Sequence, residues 1–311
     1  MSSSDKKDLH DKWPEYYDRF PYFTPDAIRD GCHPKAMEHE AAPGKAIVLV
    51  HGLTDSPYFL LAIAHHFYAN FGYNVYLPLL HCHGLKEPKG MEGVELEEWK
   101  ANVRFAINAA AAKAAHVSIG GLSTGGALSF FMACTKPKIT GELYLFSAAL
   151  DLAGGSLGVV GEMKERLLRS FLPDVLDVFD NKKPLLGRNP YRYARMDMDG
   201  AQELARLIKE TDDLLDGFNA KDPFPKRVFA AHSEFDSTAS IQGIRTLQKK
   251  TLPEHFTLYA IPENEEVEHA SVVLEKPIYA IDAAEGEKPL EQANPRFAKM
   301  MIAVTDFERA S

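Results

Sequence analysis

At 311 residues the chain has room for one large α/β unit with an inserted or appended piece. Apolar residues make up 45% and charged residues 25%, which argues against wholesale disorder. The 44 acidic residues outnumber the 35 Lys and Arg, for a net charge of −9 without a basic tract, so no nucleic-acid partner is expected.

No apolar run approaches the roughly 18–20 residues of a membrane helix. The most apolar stretch, residues 101–115, is broken by Asn102, Arg104, Asn108 and Lys113, and no stable membrane insertion is expected. The three cysteines, Cys32, Cys82 and Cys134, give neither a disulfide framework nor a paired metal motif. The start, Met-Ser-Ser-Ser-Asp-Lys-Lys-Asp, has no apolar segment behind its lysines and does not read as a signal peptide. A cytoplasmic protein is expected.

Residues 1–44 carry five prolines, Pro14, Pro21, Pro25, Pro34 and Pro43. They read as an irregular arm with a short strand near 36–40. The arm's aromatic residues, among them Trp13, Tyr16 and Phe20, are expected to pack against the rest of the chain. Residues 46–50, Ala-Ile-Val-Leu-Val, form a short continuous apolar run, the mark of a strand buried on both faces. Asp55-Ser56-Pro57 supplies a helix cap and a first-turn proline, and Gly72 a stop. Residues 73–80 read as a strand. Leu96, Trp99, Val103 and Ile107 recur at helical spacing. Then come a strand over 116–122, a helix over 124–134 and a strand over 142–149. This rhythm predicts an α/β fold, a mostly parallel central sheet flanked by helices.

The rhythm stops over 151–226, where two helical stretches, near 161–179 and 201–218, predict an inserted helical cap. In the second, Leu204, Leu207, Ile208, Leu214 and Leu215 share one face. Strand, helix and strand then resume over 227–231, 241–249 and 256–261, and a closing helix spans 294–309. The expected division is an arm (1–44), a core (45–150 and 227–311) and a cap (151–226).

The sharpest local signal is Gly121-Leu122-Ser123-Thr124-Gly125, a G-x-S-x-G sequence between a predicted strand and a predicted helix. A serine on such a tight turn is strained and exposed, and its neighbours must be small because the chain folds back on itself. The backbone N–H of Thr124 then stands at a helix N-terminus, where it can meet an oxyanion.

A serine hydroxyl is a weak nucleophile and needs a base, and the base needs an orienting acid. Asp236 follows the strand at 227–231, and His269 follows the last strand, past the carboxyl ends where open α/β sheets gather their sites. Glu234 and Asp151 compete for the acid. His232, His255 and the pairs His65/His66 and His81/His83 compete for the base, His232 reading as structural. A second oxyanion donor is expected after His51-Gly52, from the amide of Leu53, with Thr54 as the alternative. His51 itself is expected to orient this loop by hydrogen bonding. His81-Cys82-His83 has no fourth metal ligand at a suitable spacing and reads as a strand-end loop, so no metal is expected.

These residues together, His51-Gly52, the turn around Ser123, Asp236 and His269, resemble the α/β-hydrolase superfamily. Within it the chain looks most like the bacterial carboxylesterase and monoacylglycerol-lipase group. His81-Cys82-His83-Gly84 is similar to that group's Arg-Gly-His-Gly loop, departing at its first two positions. The resemblance covers roughly residues 44–274 and the final helix. It implies an eight-stranded type of sheet, a Ser123–His269–Asp236 triad and no cofactor. Residues 1–44 and the long link 275–294 depart from the family pattern.

The expected function is a serine hydrolase acting on a small-molecule acyl ester, with cap residues such as Leu152, Leu157, Val159, Val160 and Leu167 available to enclose an acyl chain. Acyl transfer, amide cleavage or C–C hydrolysis on the same residues remain open, as does a non-catalytic ligand-binding protein on this scaffold.

Overall fold

The computed structural model describes residues 13–41, 43–87, 91, 93–151 and 185–310. The expected cap helix over 161–179 and the five cap residues just named lie outside the described residues. Seven strands form one sheet in the order β1-β3-β2-β4-β5-β6-β7. They are β1 (Lys35–Met37), β2 (Gly44–Val50), β3 (Asn74–Leu77), β4 (Ala114–Leu122), β5 (Leu143–Phe146), β6 (Val228–Ser233) and β7 (Phe256–Ile261). All neighbours pair in parallel except β1, which runs antiparallel to β3. Among the described residues the sheet has seven strands where the resemblance implied an eight-stranded type, and the arm contributes one short edge strand.

The continuous apolar runs are explained by burial on both faces. In β2, Ala46, Val48 and Val50 face one core cluster while Ile47 and Leu49 face the other. In β6, Val228 and Ala230 face the first, Phe229 and Ala231 the second. Helices α2 (Leu61–Phe71) and α7 (Phe297–Arg309) cover the second face. Helices α3 (Leu96–Lys113), α4 (Thr124–Thr135) and α5 (Met198–Asp216) cover the first. Among the described residues two shorter helices are added, α1 (Pro14–Arg19) in the arm and α6 (Ile241–Lys249) between β6 and β7.

Element boundaries follow local chemistry. Gly72 ends α2 in the left-handed conformation (φ 68°), which costs glycine nothing. β3 stops at Leu77, short of the predicted end at residue 80, because Pro78 has no N–H to continue the ladder. Ser56 takes the extended N-cap conformation ahead of Pro57, but no side chain caps this helix end; the Asp55 carboxylate is engaged elsewhere.

The arm packs as expected. Trp13, Tyr16, Phe20 and Phe23 are buried, Tyr16 and Phe20 both meeting the Phe105 ring of α3 edge-on. The Tyr16 hydroxyl donates to the Leu79 carbonyl at 2.5 Å. Burying each such ring is worth about 1.5–3 kcal/mol. Of the predicted α5 face, Leu204, Leu207, Ile208 and Leu215 are buried against the layer formed by α3 and α4, so the described helix of the 151–226 segment lies beside the sheet. Among the described residues no helix is long and apolar enough to cross a membrane.

Candidate active site

Ser123 sits between β4 and α4 with φ 54° and ψ −120°, a strained backbone for a residue with a side chain. Its neighbours explain why the turn needs glycines. A Cβ on Gly121 would stand 2.6 Å from the Val50 carbonyl oxygen, and one on Gly125 would strike the same atom. The turn is pinned by the Ser123 N–H donating to the Phe146 carbonyl at 3.1 Å and the Ala149 N–H donating to the Ser123 carbonyl at 3.1 Å.

Parallel register brings the carboxyl ends of the strands to one edge. Val50 pairs with Gly121, Leu122 with Phe146, Phe146 with Ala231 and Ser233 with Ile261. Asp236 follows β6 and His269 follows β7 on this edge. The His269 Nδ1 lies 2.7 Å from Asp236 Oδ2. The other Asp236 oxygen accepts the N–H groups of Thr238 at 2.8 Å and Ala239 at 3.1 Å. Burial raises the Asp236 pKa, but His269, His232 and the Thr238 amide outweigh it and hold the group below the usual aspartate value. A carboxylate there fixes Nδ1 as the protonated nitrogen of His269. The His269 Nε2 is buried and makes no hydrogen bond with any described residue.

Ser123 and His269 line one cavity of about 740 Å³, together with Leu53, Thr54, Arg192 and Phe235. Thr124 is the first residue of α4 and is buried beneath it. A second cavity, about 780 Å³, lies between the arm and α3 beside Trp13 and Phe105 and contains none of these residues.

The competing candidates fall elsewhere. Glu234 is exposed and pairs with Arg245. Asp151 engages through its backbone, its carbonyl accepting the Ser240 N–H at 3.0 Å. The His232 Nε2 donates to the Ala239 carbonyl at 3.2 Å and stands 3.5 Å from Asp236 Oδ2, a buried buttress of the acid. His51 Nδ1 donates to the Gly52 carbonyl at 2.9 Å while its Nε2 accepts the Leu80 N–H at 3.1 Å. This ring therefore orients the loop, and burial lowers its pKa well below the usual value. The His83 Nδ1 donates to the His81 carbonyl at 2.9 Å and its ring packs edge-on to His51. Among the described residues no group of His, Cys, Asp or Glu is arranged to hold a metal ion.

A charged cluster escaped the sequence reading. Arg192 Nε pairs with Asp55 Oδ1 at 3.2 Å, and its Nη1 with Glu291 Oε1 at 2.8 Å. Burial pushes the Asp55 pKa up to about 6, against the opposing pull of Arg192. Glu291 arrives on the long link 275–294, which folds back on itself through an antiparallel bridge between Ile278 and Glu291. The only signal in the sequence was a carboxylate placed directly after His51-Gly52-Leu53-Thr54, where a helix cap accounted for it equally well.

The sheet order, the turn at Ser123 and the edge that collects Asp236 and His269 define an α/β-hydrolase fold. No family model matches the chain. A curated relative, the thermostable monoacylglycerol lipase of Bacillus sp. (strain H-257), is 30% identical over 172 residues, 55% of this chain and 64% of that protein. The match thus spans less than two thirds of the relative's length. Among solved structures, a metagenome-derived lipolytic enzyme aligns with a TM-score of 0.61 at 16% identity, covering 91% of this chain and 99% of that one. A monoacylglycerol lipase from Paleococcus ferrophilus aligns with 0.59 at 15%, covering 90% and 100%. A meta-cleavage product hydrolase aligns with 0.52 at 15%, covering 90% and 94%.

Proposed function

We propose that the protein is a serine hydrolase that cleaves carboxylic esters of small-molecule substrates. The observation that carries this reading is the contact between His269 Nδ1 and Asp236 Oδ2 on a cavity shared with Ser123 at a strained strand-to-helix turn. His269 Nε2 takes the Ser123 proton as the hydroxyl oxygen attacks the acyl carbon. Asp236 keeps the imidazole in the tautomer that leaves Nε2 free and stabilises the imidazolium. The amides of Leu53 and Thr124 receive the oxyanion. The imidazolium returns its proton to the departing alcohol, and water then attacks the acyl-enzyme by the same route.

The monoacylglycerol lipase relative supports an ester as substrate. The likeness to a meta-cleavage product hydrolase keeps C–C hydrolysis on the same residues as the second reading. We also propose the division into arm (1–44), core (45–150 and 227–311) and cap (151–226), in which the cavity-lining residues Tyr193, Ala194 and Met196 meet the acyl chain while α5 packs on the core, and a cytoplasmic location. The test is labelling by a fluorophosphonate probe, followed by a panel of p-nitrophenyl esters of increasing chain length. Labelling at Ser123 with ester turnover is the expected result. A protein that is neither labelled nor active on any ester, but cleaves a carbon–carbon bond, would favour the second reading.

A further inference from the structure

The loop that follows β2 is held in an unfavourable conformation by the side chain of one residue far along the chain and the backbone of the next. Thr54 has φ 68°. A β-branched residue there costs roughly 1–3 kcal/mol and persists only where its surroundings over-determine it. Three ties reach this short loop from Arg192 and Tyr193, within the expected cap segment 151–226. The Tyr193 N–H donates to the Thr54 carbonyl at 2.9 Å. Arg192 Nη2 donates to the Thr54 hydroxyl at 3.3 Å. Arg192 Nε pairs with Asp55 at 3.2 Å.

We infer that Arg192 is a positioning residue for the oxyanion loop: it grips Thr54 and Asp55 and so holds the Leu53 amide in place before an ester arrives. This rests on the serine-hydrolase reading and on Leu53 as a donor.

Two further observations fit this role better than substrate binding. First, each nitrogen of the guanidinium has a protein partner. Nε meets Asp55, Nη2 meets Thr54, and Nη1 is anchored by Glu291 at 2.8 Å. The group also lies over the Phe59 ring, 5.6 Å from its centroid, and Glu291 is steadied by Asn189 at 3.3 Å. These three partners fix the plane of the guanidinium toward the loop and the link. Second, the Asp55 carboxylate stands close to the nucleophile. A Cβ on Gly52 would be 2.5 Å from Asp55 Oδ2 and 3.2 Å from the Ser123 Cβ. An unpaired carboxylate at that spot would oppose a developing oxyanion, because both are negative in a buried setting. Arg192 offsets that charge while its planar fork fixes the loop, a task the point charge of lysine cannot perform.

The test measures p-nitrophenyl ester kinetics, the rate of fluorophosphonate labelling and thermal unfolding for the wild type, Arg192→Met, Arg192→Lys and Glu291→Gln. Arg192→Met is expected to lower kcat about 10–100-fold, with KM within about threefold and labelling slowed in parallel. Arg192→Lys is expected to recover less than a tenth of that loss, and Glu291→Gln to lower kcat by a few-fold in the same direction. All kinetic runs are made well below each variant's unfolding temperature, so a folding defect registers separately. A raised KM at unchanged kcat would assign Arg192 to substrate binding and overturn the inference. A lowered unfolding temperature with unchanged kcat would reduce it to a structural ion pair and overturn it too. If the wild type itself is neither labelled nor active, the serine-hydrolase reading fails, and that outcome is distinct from a failure in the variants alone.

Discussion

The Nδ1 of His269 lies 2.7 Å from Oδ2 of Asp236, across 33 residues of sequence that include all of α6 and β7. The Asp236 side chain is wholly buried, whereas His269 keeps a little exposure at the cavity. A buried acid holding a histidine that lines the cavity is the arrangement a proton-transferring histidine needs, since the carboxylate is protected from competing partners while the ring's other nitrogen is engaged by no described residue.

Asp236→Asn, Glu234→Gln and Asp151→Asn are therefore expected to differ widely. An amide at 236 presents the wrong group to Nδ1 and favours the wrong tautomer, with a loss of kcat of about 10⁴. Glu234, exposed and paired with Arg245, and Asp151, which engages through its backbone, should each change the rate less than about threefold. Side-by-side kinetics on one p-nitrophenyl ester decide the matter, and a larger loss at 234 or 151 than at 236 removes Asp236 from its role.

Ser123→Ala is expected to abolish probe labelling and to lower ester turnover by about 10⁴ or more. The fold should persist, because only one hydroxyl leaves a turn whose neighbours are already small. The far-ultraviolet circular dichroism and unfolding temperature should stay near those of the wild type. A variant that retains more than a trace of activity would mean that another residue is the nucleophile.

The turn at Ser123 was legible because its requirement is local: the two glycines are needed by the backbone itself, whatever surrounds it. Asp236 and His269 were legible because a parallel sheet delivers residues just past its strand ends to one edge. At the end of β3 a local effect decides: Pro78 cuts the strand at Leu77. At Asp55 a distant one does, since its carboxylate turns from a helix cap to Arg192. The Arg192 cluster left no usable trace, since Arg192 meets Thr54 across 138 positions and Glu291 across 99. Neither periodicity nor turn chemistry constrains such a distance, and the link 275–294 had no pattern to show that it folds back to deliver Glu291.

Away from the cavity, Glu142 supports the fold electrostatically. Burial raises its pKa, but the His116 ring at 2.7 Å and the Ser118 hydroxyl at 2.9 Å outweigh that and bring it down to about 2. A carboxyl depressed in the folded state stabilises the protein above its unfolded pKa, near 4.5. That contribution is lost as pH falls toward 2. Glu142→Gln is expected to cost about 1–3 kcal/mol at pH 6, with the gap from wild type narrowing between pH 5 and 3. Urea unfolding across that range measures it. A gap that stays constant with pH would show that Glu142 acts through packing alone.

Asp55 should behave in the opposite sense. Its folded pKa is about 6, raised from 3.8 chiefly by burial, so the folded chain binds this proton more tightly than the unfolded one. Between pH 4 and 6 the folded state then holds more protons at this group, and stability attributable to it falls as pH rises. Ionised Asp55 is retained at neutral pH because Arg192 pairs with it at 3.2 Å, yet it remains a buried charge whose desolvation is only partly offset. Asp55→Asn removes the titration and keeps the shape. The stability of wild type relative to Asp55→Asn is therefore expected to drop by roughly 1–3 kcal/mol between pH 4.5 and 7.5, as measured by urea unfolding of both proteins in matched buffers. A relative stability that rises with pH would mean that Arg192 binds the carboxylate more strongly than burial penalises it. In that case the Asp55–Arg192 pair stabilises the charged form outright.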